Sequence, residues 1–292
     1  MKKVLSVACA LCMTTAMLTG CGSSNNAGTA ATGEAQNSAA ASTTTEQAST
    51  ATDAGTTLIA LITMDSLDQH WVTLNEGAQK AAAELGVTVQ FMAPNTKDDA
   101  QQIECVNNAV SAGAQAIIVA ANGPDAISSA LREASDAGVK LIYVDSPANV
   151  SAEATFSTDN NAAGKTAGEE MKKALADAGV TSGSIGIINV NAATDSCVMR
   201  EEGFRSAFEG TDFELLETQY GEGDAAKSQS IAENYITQGV VGIFGCNEGS
   251  TTGAGNAIKA SGKDNVIGVG FDKSDAILGP VSYTHLTLPT KA

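Results

Sequence analysis

Residues 57–280 predict an α/β protein made of two doubly wound parallel-sheet domains, and three observations carry that prediction. Strand-like and helix-like segments alternate from Leu58 onward, the order that βαβ units require. The strand-like runs are apolar along their whole length, as in Ala116-Ile117-Ile118-Val119-Ala120, which suits parallel strands covered on both faces. Glycine then closes the helical patterns at Leu85-Gly86-Val87, Ala112-Gly113-Ala114, Ala137-Gly138-Val139 and Ala178-Gly179-Val180. A chain of 292 residues is long enough for two such cores.

In chain order the strand candidates are 58–64, 87–92, 116–120, 140–144, 184–190, 213–220, 240–244 and 266–270. Helical patterns occupy 71–85, 100–112, 126–137, 162–178, 197–208, 225–237 and 252–260. The alternation stutters once between Asp145 and Asn160, where the extended piece 154–157 follows a strand with no helix before it. Two similar domains, 57–158 and 159–280, with the chain crossing near Ser157-Thr158-Asp159, account for the stutter.

The chain before Thr57 has another character. Met1-Lys2-Lys3 precedes an uncharged stretch of 17 residues, Val4 to Gly20, that ends in small residues, the parts of an export signal. Its length is at the lower limit for a bilayer span and it contains Thr and Ser, so residues 1–20 read as a cleaved signal peptide rather than an anchoring helix. Leu18-Thr19-Gly20-Cys21 resembles the lipobox of bacterial lipoproteins, which implies that Cys21 carries lipid and becomes the new N-terminus. Residues 22–56 lack Val, Ile, Leu, Met, Phe, Trp, Tyr and Cys, so nothing there offsets the entropy of folding. The segment 21–56 is expected to be a lipid-anchored flexible linker with a reach of about 30–35 Å. The expected location is outside the cytoplasm, on the outer face of the cell membrane or in the periplasm.

Composition narrows the partners. Sixteen basic against 33 acidic residues give a net charge of −17, which repels phosphate backbones and disfavours nucleic acid. Past Cys21 the remaining cysteines, Cys105, Cys197 and Cys246, are odd in number and widely spaced, so neither a disulfide framework nor a Cys-rich metal site is readable.

Ligands of open α/β sheets bind beyond the carboxyl ends of the strands. Those positions hold Asp65, Asp68, His70, Trp71, Asn95, Asn122 and Asp145 in the first domain, and Asn189, Asn191, Asn247 and Asp272 in the second. Each Asn or Asp alone is as well explained by a loop or a helix cap. Together they make a polar cleft suited to a neutral, hydroxyl-rich ligand, because carboxylates accept from hydroxyls and amides both accept and donate. Trp71, the only Trp, could stack on the apolar face of a sugar ring or simply plug the domain boundary. Arg200, one of three arginines, could hold two ligand oxygens with its planar fork or form a surface salt bridge.

At this point the series Thr57-Leu58-Ile59-Ala60-Leu61-Ile62, Gly77-Ala78-Gln79-Lys80-Ala81-Ala82, Leu141-Ile142-Tyr143-Val144-Asp145, Arg200-Glu201-Glu202-Gly203-Phe204 and Val269-Gly270-Phe271-Asp272 resembles the ribose-binding-protein-like branch of periplasmic solute-binding proteins, which feed sugar ABC importers. The resemblance runs from about Thr57 to Asp275. It implies the type I periplasmic-binding-protein fold: two α/β domains joined by three hinge crossings that close on one monosaccharide, with permease subunits in the membrane as partner. It implies no cofactor, no enzymatic activity and a monomeric state. The family's binding positions fall here on Asp68, His70, Trp71, Asn122, Asp145, Arg200, Asn247 and Asp272; the ribose binder's two Phe are His70-Trp71, and its Arg after the fourth-strand Asp is Ser146.

Rival readings are weaker. Gly164-Lys165-Thr166 ends like a P-loop, but the glycine required five residues earlier is Asp159. Gly221-Glu222-Gly223-Asp224 mimics a dinucleotide fingerprint and sets acids where pyrophosphate would sit. With two His, His70 and His285, and no Gly-x-Ser-x-Gly elbow, a hydrolase triad has little to work with. Asp65, Asp68 and His70 could ligate a metal, but they lack a fourth ligand. Asp65 with Asp68 is the one carboxylate pair that a sugar-cleaving enzyme could use. A sugar-sensing module that presents its ligand to a chemoreceptor or sensor kinase is the alternative that shares the cleft. The lipobox argues against a cytoplasmic repressor of the same fold. A helix starting at Lys273 is expected to stop at Gly279-Pro280. Residues 281–292 continue no family pattern and resemble a foreign read-through tail, so the C-terminus is expected to be truncated, with an open sheet edge.

Overall fold

The computed structural model describes residues 57–281 and 286–287. The segments expected to be a signal peptide and a linker, Cys21 included, and most of residues 281–292 lie outside the described residues. The first sheet is formed by β1 (Leu58–Ile62), β2 (Thr88–Met92), β3 (Ala116–Val119), β4 (Lys140–Val144) and β5 (Ala154–Phe156), with α1 (Gln69–Leu85), α2 (Asp99–Ser111) and α3 (Pro124–Asp136) between its first four strands. Its order is β2-β1-β3-β4-β5, all parallel.

The chain then crosses at residues 157–159 into α4 (Asn160–Asp177), which opens a second α/β lobe. There follow β6 (Gly183–Asn189), α5 (Asp195–Ala207), β7 (Phe213–Leu215), β8 (Gln219–Tyr220), α6 (Ala225–Gln238), β9 (Gly242–Gly245), α7 (Glu248–Ser261), β10 (Ile267–Gly270), α8 (Asp275–Val281) and β11 (Leu286–Thr287). The second sheet has the order β11-β10-β9-β6-β7, again parallel, with β8 pairing the far end of β6. Among the described residues the crossing at 157–159 is the only one between lobes, where the resemblance implies three.

The second sheet is buried on both faces; the first is fully buried on the face that α2 and α3 cover, while Ile59, Ile118, Ile142 and Val144 on its other face are half-buried. Val106, Ile117, Val119 and Leu131 have no exposed surface in the first lobe, nor do Ile185, Ile187, Phe204 and Phe244 in the second. Phe204 and Phe244 stack with ring centroids 4.0 Å apart, which ties α5 to β9. That burial follows from the unbroken apolar strands, and it makes the registers firm.

Helix boundaries depart from the apolar pattern in one direction. The helices begin at or ahead of the first apolar residue, and for five of them the N-cap is a polar side chain that the periodicity does not register. Asp68, Asp98, Asp159, Asp224 and Asn247 each accept an N–H of the first turn. The expected single strand 213–220 is two pieces, β7 and β8. The expected stop at Gly279-Pro280 is met to within one residue. α8 runs to Val281, and Pro280 forgoes one backbone donor in a helix only seven residues long. Leu286 and Thr287 of the tail pair in parallel with Gly268 and Val269, so β10 is not the bare edge expected.

The short-spaced glycines of α4 and α5 have a packing reason. A Cβ on Gly164 would stand 2.0 Å from the Arg200 carbonyl oxygen, and one on Gly203 2.0 Å from that of Asn161. The Gly164-Lys165-Thr166 segment therefore lies inside a helix, where its glycine lets α5 approach and carries Arg200 toward the gap between the lobes.

Candidate functional site

The loops after β1, β4, β6, β9 and β10 meet at the interface of the two lobes. Met64, Asp68, His70, Trp71 and Asp145 come from the first lobe, and Thr194, Ser196, Arg200, Asn247 and Asp272 from the second. The space left among them is about 20 Å³, room for a single water. The lobes are thus shut on each other, and anything the size of a monosaccharide enters only when they part.

Asp145 is the centre of this arrangement. It follows β4 with φ 62°, and Asp272 follows β10 with φ 71°. Such backbone conformations are sparsely populated and persist where the surrounding structure holds them. Asp145 Oδ1 accepts from the hydroxyls of Ser146 (2.8 Å) and Ser196 (3.0 Å). Its Oδ2 faces His70 Nε2 at 3.7 Å and Arg200 Nη2 at 3.9 Å. Burial pushes the Asp272 carboxyl above the usual carboxylate range, only partly countered by Arg200 and His70.

Arg200 is buried, at 6% exposure. Its Nε donates to Asn160 Oδ1 (2.9 Å), its Nη1 donates to the Cys246 carbonyl (3.0 Å), and its guanidinium lies 4.4 Å from the centre of the Phe271 ring. The surface salt bridge weighed from sequence is therefore not its role. Asn247 caps α7 through Oδ1, which accepts from Ser250 N–H and Oγ, while its Nδ2 has no partner among the described residues. Trp71 is 3% exposed and packs with Met64 and Ala120, its ring edge-on to His70 at 4.5 Å. Its Nε1 is also without a partner among the described residues. Trp71 belongs to a small apolar cluster at the lobe boundary and also lines the cavity.

Asp65 and Asn122 are not brought into this cavity. Asp65 folds back on its own loop, accepting from the N–H groups of Leu67 and Asp68 (both 2.8 Å) and pairing with Lys97. Burial opposes its ionisation, but the Lys97 ammonium and these donors prevail and hold its carboxyl below the ordinary value. Asn122 instead joins the lobes farther out. Its carbonyl accepts from Thr194 Oγ1 (2.8 Å), and its Oδ1 faces Asn191 Nδ2 at 3.4 Å. Among the described residues no group of His, Cys, Asp and Glu is arranged to hold a metal ion.

Two charged residues were missed from sequence. Lys97, in the β2–α2 loop, pairs with Asp65 and with Asp68 at 3.4 Å. Glu248, in the first turn of α7, reaches across the gap to accept from His70 N–H (3.2 Å). Burial, and then the facing Asp68 carboxyl, raise the Glu248 pKa to about 7. Both positions lie beyond the carboxyl end of a strand, one step or two from Asn247 and Asn95, so the rule that found those amides covered them too. They border a larger chamber of about 310 Å³ between the first loop and Glu222–Ala225 of the second lobe.

Residues 59–279 match the family described as periplasmic binding protein domain. The ribose import binding protein of Haemophilus influenzae is 30% identical over 230 residues, which are 78% of this chain and 76% of that protein. Among solved structures, a carbohydrate transporter solute-binding protein of Agrobacterium radiobacter in complex with D-arabinose matches with a TM-score of 0.76 and 26% identity, over 80% of this chain and 82% of the other. An ABC transporter solute-binding protein of Agrobacterium vitis with bound D-fucose matches with a TM-score of 0.74 and 28% identity, over 78% and 81%. With two parallel-sheet lobes meeting at a polar gap, and relatives of this kind on both counts, the chain belongs to the periplasmic binding protein family, in its ribose-binding-protein-like branch.

Proposed function

We propose that this protein captures a monosaccharide between its lobes, 57–158 and 159–280, and delivers it to the permease of a sugar ABC importer without changing it chemically. The observation that carries the reading is the unpaired donor set. Trp71 Nε1 and Asn247 Nδ2 are buried from opposite lobes with no acceptor, beside the carboxylates of Asp145 and Asp272. A buried donor left unpaired costs about 1–3 kcal/mol. A neutral polyol answers all four groups at once, its oxygens accepting from the indole and the amide while its hydroxyls donate to the carboxylates. Arg200 and His70 supply further donors at the same gap.

Parting and closing of the lobes about the crossing at 157–159 then admits and buries the ligand, which biases the closed state. The names of relatives that bind ribose, D-arabinose and D-fucose support pentoses and 6-deoxyhexoses as the class to try first. We read the chain as an exported lipoprotein held by Cys21 through the 21–56 tether, a monomer without cofactor. The test is calorimetric titration of the full chain with D-ribose, D-arabinose, D-fucose and D-allose, together with the variant Asn247→Asp. A dissociation constant of about 1 μM or tighter is expected for at least one sugar. Asn247→Asp keeps the helix cap and removes the donor, so binding should weaken at least tenfold with stability kept. Failure of all four sugars to bind would remove the reading, and turnover of a bound sugar would make the protein an enzyme. A bound sugar whose uptake does not depend on the protein in cells would favour the sensing module.

A further inference from the structure

Lys97 lies at the boundary of both chambers, and no part of the sugar-contact reading uses it. Its side chain is 7% exposed. An ammonium so placed is costly unless carboxylates answer it, and two do, Asp65 and Asp68. Those carboxylates have their other oxygens engaged. Asp65 Oδ1 holds the N–H groups of Leu67 and Asp68, and Asp68 Oδ1 holds that of His70. The lysine therefore locks the turn that starts α1, where His70 and Trp71 follow directly.

The second lobe completes its burial. Gly223 presses on the lysine so closely that a Cβ there would stand 2.6 Å from Nζ and 2.8 Å from Cε. Glu222 and Asp224 flank that glycine, and Glu248 and Asp272 approach Asp68 from the same lobe. Arg200 faces the first loop on the Asp145 side of the small cavity, and Lys227 pairs with Glu222 at 2.6 Å. The second-lobe titratable groups that share the larger chamber with Lys97 are Glu222, Asp224 and Glu248, all acidic.

We propose that Lys97 is a positioning residue for ligand binding: it ties Asp65 and Asp68 into one turn that presents His70 and Trp71 to the cleft, and closure of Gly223 over it fixes that turn when the lobes shut. This rests on the sugar-binding reading for its functional meaning, though the tie itself can be read without ligand. Burial works against the ammonium, yet the two carboxylates raise its pKa above the ordinary lysine value, so the tie persists through the neutral range.

The experiment compares the full chain with Lys97→Met and Lys97→Arg. Emission from Trp71, the only Trp, reports the turn in the free protein, and titration with the four sugars at about pH 8 reports its effect on the site. Lys97→Met should shift the emission to the red and weaken binding about 10- to 100-fold near pH 8. Lys97→Arg keeps the charge and should restore both readouts. A Lys97→Met protein with wild-type emission or wild-type affinity, or a Lys97→Arg protein that restores neither, overturns the assignment, because Met keeps the aliphatic packing and removes only the charge. If the wild-type chain binds none of the four sugars, the sugar reading fails and the emission alone decides the tie: a shift upholds it, and no shift ends it.

Discussion

Two glycine-to-alanine changes of opposite sign test whether the α4–α5 contact sets the site. Gly203 lies in α5, one turn past Arg200, and a methyl there would stand 2.0 Å from the Asn161 carbonyl oxygen and 2.8 Å from Lys165 N. That is about 1 Å inside the closest approach a Cβ ordinarily makes, and the obstacle is helix backbone, which cannot rotate aside. The helices must separate, so Gly203→Ala should destabilise by about 1–3 kcal/mol or more, the usual cost of overpacking. Gly77 in α1 has nothing within 4 Å of a Cβ, so Gly77→Ala should stabilise by about 0.5–1 kcal/mol, the difference in helix propensity. Urea unfolding followed by far-ultraviolet circular dichroism is the assay, because Trp71 sits in the first lobe and its fluorescence favours that half. Gly203→Ala should also weaken sugar binding, since Arg200 reaches Asn160 and the Cys246 carbonyl only from a close-packed α5. Equal and small effects of the two changes would refute the argument that close packing positions Arg200.

Two further outcomes follow from the charges. Asp272→Asn should weaken sugar binding about 10- to 100-fold while leaving unfolding free energy unchanged or slightly higher, because burial already disfavours that carboxylate's charge; calorimetry and urea unfolding give the two numbers. Glu248 titrates near 7 in the folded chain against 4.5 for the free side chain. The folded state therefore holds its proton more tightly, and the stability this contributes is full below about pH 4.5 and lost as pH rises through 7. Because the group is only half-buried, the loss should be no more than about 1–2 kcal/mol, and Glu248→Gln should flatten that part of the stability curve.

Legibility from the sequence divides by the range of the forces involved. Strands and helices were readable because apolar runs such as Ile117–Val119 and glycine stops act over a few residues. The places of Asp145, Asn247 and Asp272 at the gap were readable too, since each follows a strand end in a doubly wound sheet, and Arg200 came from the family resemblance and the polar loop ahead of α5. What each group does there was not. Asp65 and Asn122 obey the same strand-end rule, yet one turns back to Lys97 and the other bonds the opposite lobe. Local sequence carries no sign of those partners, which lie 32 residues away for Asp65 and 72 for Asn122. Lys97 and Glu248 escaped for a related reason. Each stands one or two residues past an amide that already filled the strand-end position, and their burial depends on a second lobe that the local pattern cannot show.

Asp145 also shows how closure without ligand competes with closure around it. Its carboxylate takes hydrogen bonds from Ser196 of the second lobe and faces Arg200, while Ser196 also accepts from Ser146 at 2.8 Å. These contacts exist only when the lobes are shut, and they engage the same oxygens that sugar hydroxyls would use. Direct lobe-to-lobe bonding therefore stabilises a closed form that has no room for ligand and reduces the fraction ready to bind. Ser196→Ala removes about 1 kcal/mol of that bonding, so the free protein should open, read as a larger radius of gyration in solution scattering. The sugar should then bind up to about fivefold more tightly. Weaker binding by Ser196→Ala with an unchanged radius would mean that Ser196 contacts the sugar itself, and the competition argued here would be wrong.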